Sequence, residues 1–236
     1  MHHISDAKQH GGRDSGAPTP AGSTAVGWSD EEIAARIARD IPDGWTVNLG
    51  VGLPTLVAPL LSSRRVLVHS ENGILGVGGP VAVGHEDPDL VHAWKGWSTL
   101  VPGAAIMDSV VSFTLIRGGR LDLSIMGAYQ VSMEGDLANW RIGGSRLAGI
   151  GGAADLAYGA RRLWVAMRFR AKDGSVRLVR SCTYPLTARA CTSRVYTDVG
   201  VFLRRSGRLL LVEPASPTAA AEVQSLLRWG SDVAEH

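Results

Sequence analysis

Residues 66–80 read Val66-Leu67-Val68-His69-Ser70-Glu71-Asn72-Gly73-Ile74-Leu75-Gly76-Val77-Gly78-Gly79-Pro80. The apolar run Val66 to His69 predicts a short buried strand. It runs straight into a carboxylate, an Asn-Gly pair and a series of glycines. A carboxylate at the end of a buried parallel strand sits at the edge where α/β sheets place ligands. Glycines beside it let a ligand approach the backbone closely. Walls made by Ile74, Leu75 and Val77 would partly desolvate Glu71, favouring a nucleophile or a shifted acid. An exposed glutamate in a surface turn is the other reading of the same residue.

Outward from this stretch, strands and helices alternate. Ser29 and Glu32 have capping-box spacing ahead of Ile33, Ile37 and Ile41, which fall on one helical face. Pro42, Asp43 and Gly44 end that helix. A second apolar run, Thr46 to Leu49, predicts a strand, and Gly50-Val51-Gly52-Leu53-Pro54 turns the chain into a helix with Pro54 in its first turn. Further strands are expected at Val110 to Ile116 and Leu121 to Met126, split by Arg117-Gly118-Gly119-Arg120. The segment 149–156 reads as a glycine loop opening a short helix. Strands at Leu163 to Met167, Arg194 to Leu203 and Leu209 to Val212 follow, then a helix from Pro217 to Trp229. The expected class is α/β: a single open, largely parallel sheet with helices on both faces. Residues 1–27, dense in Gly, Pro, Ser and Thr with His2, His3 and His10, are expected to form a disordered tail ahead of one domain, 28–236.

Composition narrows the function. The 236 residues carry 24 Lys plus Arg against 22 Asp plus Glu, a net charge of +2, which supplies no single-sign field for nucleic acid. With 45% hydrophobic residues the chain can bury one sizeable core. The apolar stretches are too short for a bilayer span, and the first 27 residues lack the apolar core of a secretory signal, so a cytoplasmic location is expected with no membrane partner. Cys182 and Cys191 are too few for a disulfide framework. His85, Glu86 and Asp87 read as a polar loop, and no metal site is expected. Gly50-Val51-Gly52 lacks the third glycine of a dinucleotide loop.

The run HSENGILGVG at 69–78 resembles the active-site signature of the B subunit of family I coenzyme A transferases. These include enzymes that move CoA from succinyl-CoA onto 3-oxoacids such as acetoacetate and 3-oxoadipate. Other segments are similar to the family in its order and spacing: VNLGVGLPTLV at 47–57, SFTLIRGGRLDLSIMGAYQVSMEGDLANW at 112–140, GIGGAADLAYGA at 149–160 and CTYPLTARACTSRVYTD at 182–198. The resemblance spans nearly everything from Trp28 to Trp229.

What the resemblance implies is a transferase whose nucleophile is Glu71. No cofactor stays permanently bound; coenzyme A is the substrate carrier and forms a covalent enzyme–CoA intermediate. A partner A subunit would complete a heterodimer or heterotetramer. Each addition to a carbonyl builds an oxyanion that needs amide donors. Asn72-Gly73 and Gly151-Gly152 are the candidates, and the second pair also lies where the family's thioester passes. Gly50 and Gly52 are candidates for close approach in the substrate pocket, or plain turn glycines. Gln130 and Asn139 either contact substrate or hold loops. Arg141, Arg146, Arg161 and Arg162 are cations available to the CoA phosphates, each also readable as a solvated surface charge. One segment departs from the family: Val91-His92-Ala93-Trp94-Lys95 and Trp97 stand where members read something like INAGK, so extra indoles either reshape the acyl pocket or fill core. Two other functions remain open on the sequence, an acyl-CoA hydrolase on the same scaffold and a non-catalytic ligand-binding α/β protein.

Overall fold

The computed structural model describes residues 27–93, 95–142 and 149–228. The N-terminal tail expected at 1–27 therefore lies outside the described residues except for Gly27, as do Trp94 and Arg146.

Helix α1 (Asp30–Asp40) starts where the capping box predicts: Ser29 Oγ accepts from the Glu32 N–H, and the Glu32 carboxylate accepts from the Ser29 N–H at 2.8 Å. Its Ile33 and Ile37 are fully buried. Strand β1 (Thr46–Leu49) leads through a 3₁₀ turn at Leu53–Val57 into the short α2 (Ala58–Leu61), and then into β2 (Leu67–Ser70). Strands β3 (Ile74–Val77) and β4 (Leu100–Ile106) fold back antiparallel. Helix α3 (Ser109–Arg117) precedes β5 (Leu123–Met126), then the short β6 (Gln130–Ser132) and β7 (Leu137–Ala138). Helix α4 (Ala153–Gly159), β8 (Leu163–Ala166), β9 (Leu178–Val179), β10 (Thr192–Thr197), β11 (Gly200–Arg205), β12 (Arg208–Pro214) and α5 (Pro217–Arg228) complete the order.

The main sheet has nine strands in the order β12-β11-β10-β8-β5-β1-β2-β3-β4. Its centre, β10-β8-β5-β1-β2, is parallel throughout. Both flanks are antiparallel hairpins, so the α/β class holds but the sheet is mixed rather than largely parallel. Nor is it single, because β7-β6-β9 form a second sheet. The short strands around Gly135 account for this. They are too brief to read as strands by alternation, and β6 pairs in register with the distant β9 (Ser132 with Val179).

Two more expectations change. Residues 110–116 are helix, not strand. The β-branched run Val110, Val111, Thr114 and Ile116 mimics a strand, but Asp108 caps the segment by accepting from the Val111 N–H at 2.9 Å, and Gly118 ends it. The single strand expected from Arg194 to Leu203 is a hairpin, broken at Asp198-Val199 between β10 and β11.

Both sheet faces are covered. Ile33, Ile37, Val57 and Leu61 pack on one face with Val47, Leu123 and Trp164. Ile116, Leu156, Phe202 and Val223 pack on the other with Met126 and Val165. Neighbouring residues of β5 and β8 point to opposite cores, the period-2 consequence of burial on both sides. Among the described residues no helix is long and apolar enough to cross a membrane.

Candidate active site

Strand β1 is flanked by β2 on one side and β5 on the other, so the chain's direction of travel across the sheet reverses there. A cavity of about 550 Å³ opens beyond the C-terminal ends of the parallel strands on both sides of that reversal. Gly50 and Val51 follow β1, Glu71 follows β2, Met126 to Ala128 end β5, and Ala166 to Arg168 end β8. The loop Ile150-Gly151-Gly152-Ala153 lines it as well.

Glu71 is half-buried in this cavity. Loss of water around its carboxyl pushes it above the usual glutamate range, and the negative charge of Asp155 adds to that. Asp155 is itself held by the Arg117 guanidinium at 2.7 Å. Gly152 meets the carboxylate directly: a Cβ there would lie 3.0 Å from Glu71 Oε2 and 2.8 Å from the Phe113 ring, so any side chain would have to displace that ring or the acid. Among the described residues the N–H groups of Gly151 and Gly152 donate to no acceptor.

Behind Glu71 runs a buried polar chain. The Ser112 hydroxyl donates to the Glu71 carbonyl at 2.8 Å, so its oxygen accepts from His69 Nε2 at 3.0 Å. Nδ1 of that ring is then left to accept from the Asn48 amide at 3.3 Å. His69 and Ser112 are fully buried and Asn48 nearly so. Burial pushes the His69 imidazole down to about 4, so it is neutral near pH 7. Helix α3 and strands β1 and β2 are thereby tied to the backbone of one residue.

Six of the nine residues picked from the sequence line the cavity: Glu71, Gly50, Gly52, Asn139, Gly151 and Gly152. Gly50 donates its N–H to the Ile125 carbonyl, and Gly52, at φ +88°, opens the turn before Leu53. Asn139 is engaged by Thr187, whose hydroxyl donates to its Oδ1 at 2.6 Å. The other three do not line it. Gly73 is buried with its N–H already donated to the Ser70 carbonyl at 3.0 Å, and its φ of +124° lets the chain pass the Met107 carbonyl. Asn72 is exposed and clamps a neighbouring loop, accepting from Ser70 Oγ and donating to the Val91 carbonyl at 2.6 Å. Gln130 holds the 183–184 loop by accepting from the Thr183 and Tyr184 N–H groups.

Of the cations considered for phosphate, the described Arg141, Arg161 and Arg162 do not line the cavity: Arg161 pairs with Asp122, and Arg162 covers the Trp45 ring. Trp97 lines a separate cavity of about 140 Å³ with Pro59, Gly79 and His92. Cys182 and Cys191 are half-buried, line neither cavity, and have thiols pushed up to about 11 by burial. Among the described residues no three His, Cys, Asp or Glu groups gather as a metal site would require. Sequence reading missed Tyr129, Arg168 and Arg177 on the cavity wall. For Arg168 a signal existed, since it lies just past the end of a buried strand, as Glu71 does; Arg177 arrives through the second sheet and has none.

The sequence profile described as Coenzyme A transferase matches residues 30–217. The chain is 47% identical over 199 residues to the B subunit of 3-oxoadipate CoA-transferase of Pseudomonas putida, covering 84% of this chain and 93% of that one. It is 44% identical over 196 residues to the beta subunit of acetate CoA-transferase of Escherichia coli, covering 83% and 89%. Among solved structures, glutaconate coenzyme A-transferase from Acidaminococcus fermentans superposes with a TM-score of 0.56 at 19% identity, covering 83% of this chain and 84% of that one, a likeness of fold. With a family profile running from α1 to the start of α5 and such identity across most of its length, the chain belongs to the coenzyme A transferase family.

Proposed function

We propose that this chain is the B subunit of a 3-oxoacid CoA transferase, which moves CoA from an acyl-CoA such as succinyl-CoA to a 3-oxoacid through a Glu71–CoA thioester, together with an A subunit. The observation that carries the reading is the Glu71 carboxylate, half-buried at a strand end with Gly152 seated against it.

The Glu71 carboxylate attacks the thioester carbonyl of the donor, and the C–S bond breaks to give a mixed anhydride and the CoA thiolate. The thiolate attacks the glutamyl carbonyl, forming the enzyme thioester and releasing the donor's carboxylate. An acceptor carboxylate then attacks that thioester, regenerating an anhydride and the thiolate. The thiolate takes the acceptor's acyl group, and Glu71 returns as a carboxylate. Covalent relay of this kind replaces one difficult exchange by easier steps and consumes no nucleotide. A carboxylate with little water around it is the better nucleophile, which is what burial beside Asp155 supplies. The open Gly151 and Gly152 N–H groups suit the oxyanions formed at each addition, and losing one such donor costs about 2.7–4 kcal/mol in known enzymes. The apolar walls, among them Leu53, Met126 and Leu156, keep water from the anhydride.

The test is co-expression with an A subunit and assay with succinyl-CoA and a 3-oxoacid. Glu71→Ala is expected to lower turnover by about 10⁴-fold or more, the scale of losing a covalent nucleophile. Borohydride added after acyl-CoA should reduce a thioester at Glu71 alone. Near-full activity in the variant, or reduction elsewhere, refutes the assignment; free acid formed without acceptor makes the chain a hydrolase.

A further inference from the structure

Two arginines, Arg168 and Arg177, line the cavity that holds Glu71. They differ in what already answers their charge. Arg168 pairs with Asp30 at 2.8 Å, lies 3.9 Å from Asp198 and donates to the Trp28 carbonyl at 3.1 Å. Arg177 is half-buried, and among the described residues its guanidinium has no hydrogen-bonded or ion-paired partner; the charge it acts on is that of exposed Asp173. A guanidinium left without an anion in a partly desolvated cavity favours an anionic ligand, and its planar fork matches a carboxylate through two parallel N–H bonds.

Its place in the fold sets it apart from Glu71. The Arg177 N–H donates to the Phe169 carbonyl at 2.9 Å, just past the end of β8, whereas Glu71 stands at the end of β2. The order β8-β5-β1-β2 puts three strand spacings between them. At about 4.8 Å per spacing the ends of β8 and β2 are set about 14 Å apart across the sheet. The cavity wall also carries the apolar Met126, Ala128, Leu156 and Met167, which can pack on methylenes, beside the polar Asn139 and the Arg168–Asp30 pair.

We propose that Arg177 is a carboxylate subsite facing Glu71 across the cavity, so that the acids exchanged on coenzyme A are dicarboxylic, held by the carboxylate that does not react. This rests on the transferase reading for the identity of the reacting end, and not for the subsite itself.

The experiment uses the complex of this chain with its A subunit, as wild type, Arg177→Met, Arg177→Lys and Arg180→Met, the last an exposed arginine outside the cavity. The ratio of kcat/KM for 3-oxoadipate to that for acetoacetate is expected to fall about ten- to hundredfold in Arg177→Met, the range of a charge-assisted pair. Arg177→Lys should recover part of the loss, and Arg180→Met should leave the ratio at its wild-type value. A ratio unchanged within about twofold in Arg177→Met overturns the proposal, and so does a parallel loss for both acids with a raised KM for the acyl-CoA, which would assign Arg177 to a phosphate. Calorimetry with succinate and butyrate, four-carbon acids with and without the second carboxylate, reads the subsite without turnover. Preference for succinate that disappears in Arg177→Met supports it even if the complex transfers no CoA, an outcome that would sink only the transferase reading. Equal binding of the two acids by wild type overturns the subsite whatever the activity.

Discussion

At the scale of single residues, the site is a set of side chains whose ordinary preferences are overridden by place. Glu71 is the clearest case, with its carboxyl raised by burial and by Asp155. A carboxyl raised in the folded state contributes stability that is full below its unfolded value and is lost as pH climbs through the folded one. Glu71→Gln, which never ionises, is therefore expected to melt above wild type at pH 8. The gap should close as the pH approaches about 4, where protonation removes the charge from the wild-type side chain. Equal melting temperatures at pH 8 would mean that the carboxylate is well solvated. The residue itself was legible from its setting, a carboxylate between an apolar run and glycines. Asn72 and Gly73 stay off the cavity wall for a physical reason: the same Asn-Gly chemistry that suits an oxyanion donor also suits a tight turn, and here the turn takes the Gly73 N–H while the Asn72 amide donates to the Val91 carbonyl.

At the scale of elements, local pattern and local capping can disagree, and α3 shows which prevails. Residues 110–116 have the β-branched composition of a strand, yet Asp108 satisfies a free N–H at the first turn and Gly118 stops the helix. If that cap decides the element, Asp108→Ala should lower stability by about 1 kcal/mol, read as a lower urea midpoint with an unchanged slope. A strand would show no such dependence. The effect should reach the site, because α3 carries Ser112, whose hydroxyl holds the Glu71 carbonyl. Elements with strong local signals, namely α1, β1, β2 and α5, were legible in the sequence within a residue or two. The second sheet was not: strands of two or three residues carry too little alternation, and their pairing is fixed by contacts far apart in the chain.

At the scale of the whole molecule, the parallel centre gathers ligand-facing strand ends, and the antiparallel hairpins extend it on both sides. The centre also encloses His69, fully buried in β2 and neutral at pH 7. A histidine whose folded value is depressed to about 4 binds its proton in the unfolded chain first, from about pH 6.5 downward. Stability from this group is therefore present above that pH and lost as pH falls toward 4, a loss of about 3 kcal/mol across the window. Urea midpoints measured from pH 7 to pH 4 should fall for wild type and fall less for His69→Gln. A wild-type profile that stays level through pH 5 would show that the ring accepts its proton without opening the core.

Cys182 and Cys191, deep enough that their thiols ionise only near 11, bear on the company this protein keeps. On the proposed mechanism a reactive thiolate is freed inside the site in each half-reaction, and the chain's own sulfur would be vulnerable if it were equally nucleophilic. At neutral pH only about one thiol in ten thousand of such a value is ionised. The two sulfurs are therefore poor acceptors of stray acyl groups and slow partners in mixed disulfides with oxidised coenzyme. Under oxidative stress, neither cysteine is expected to be an early site of damage.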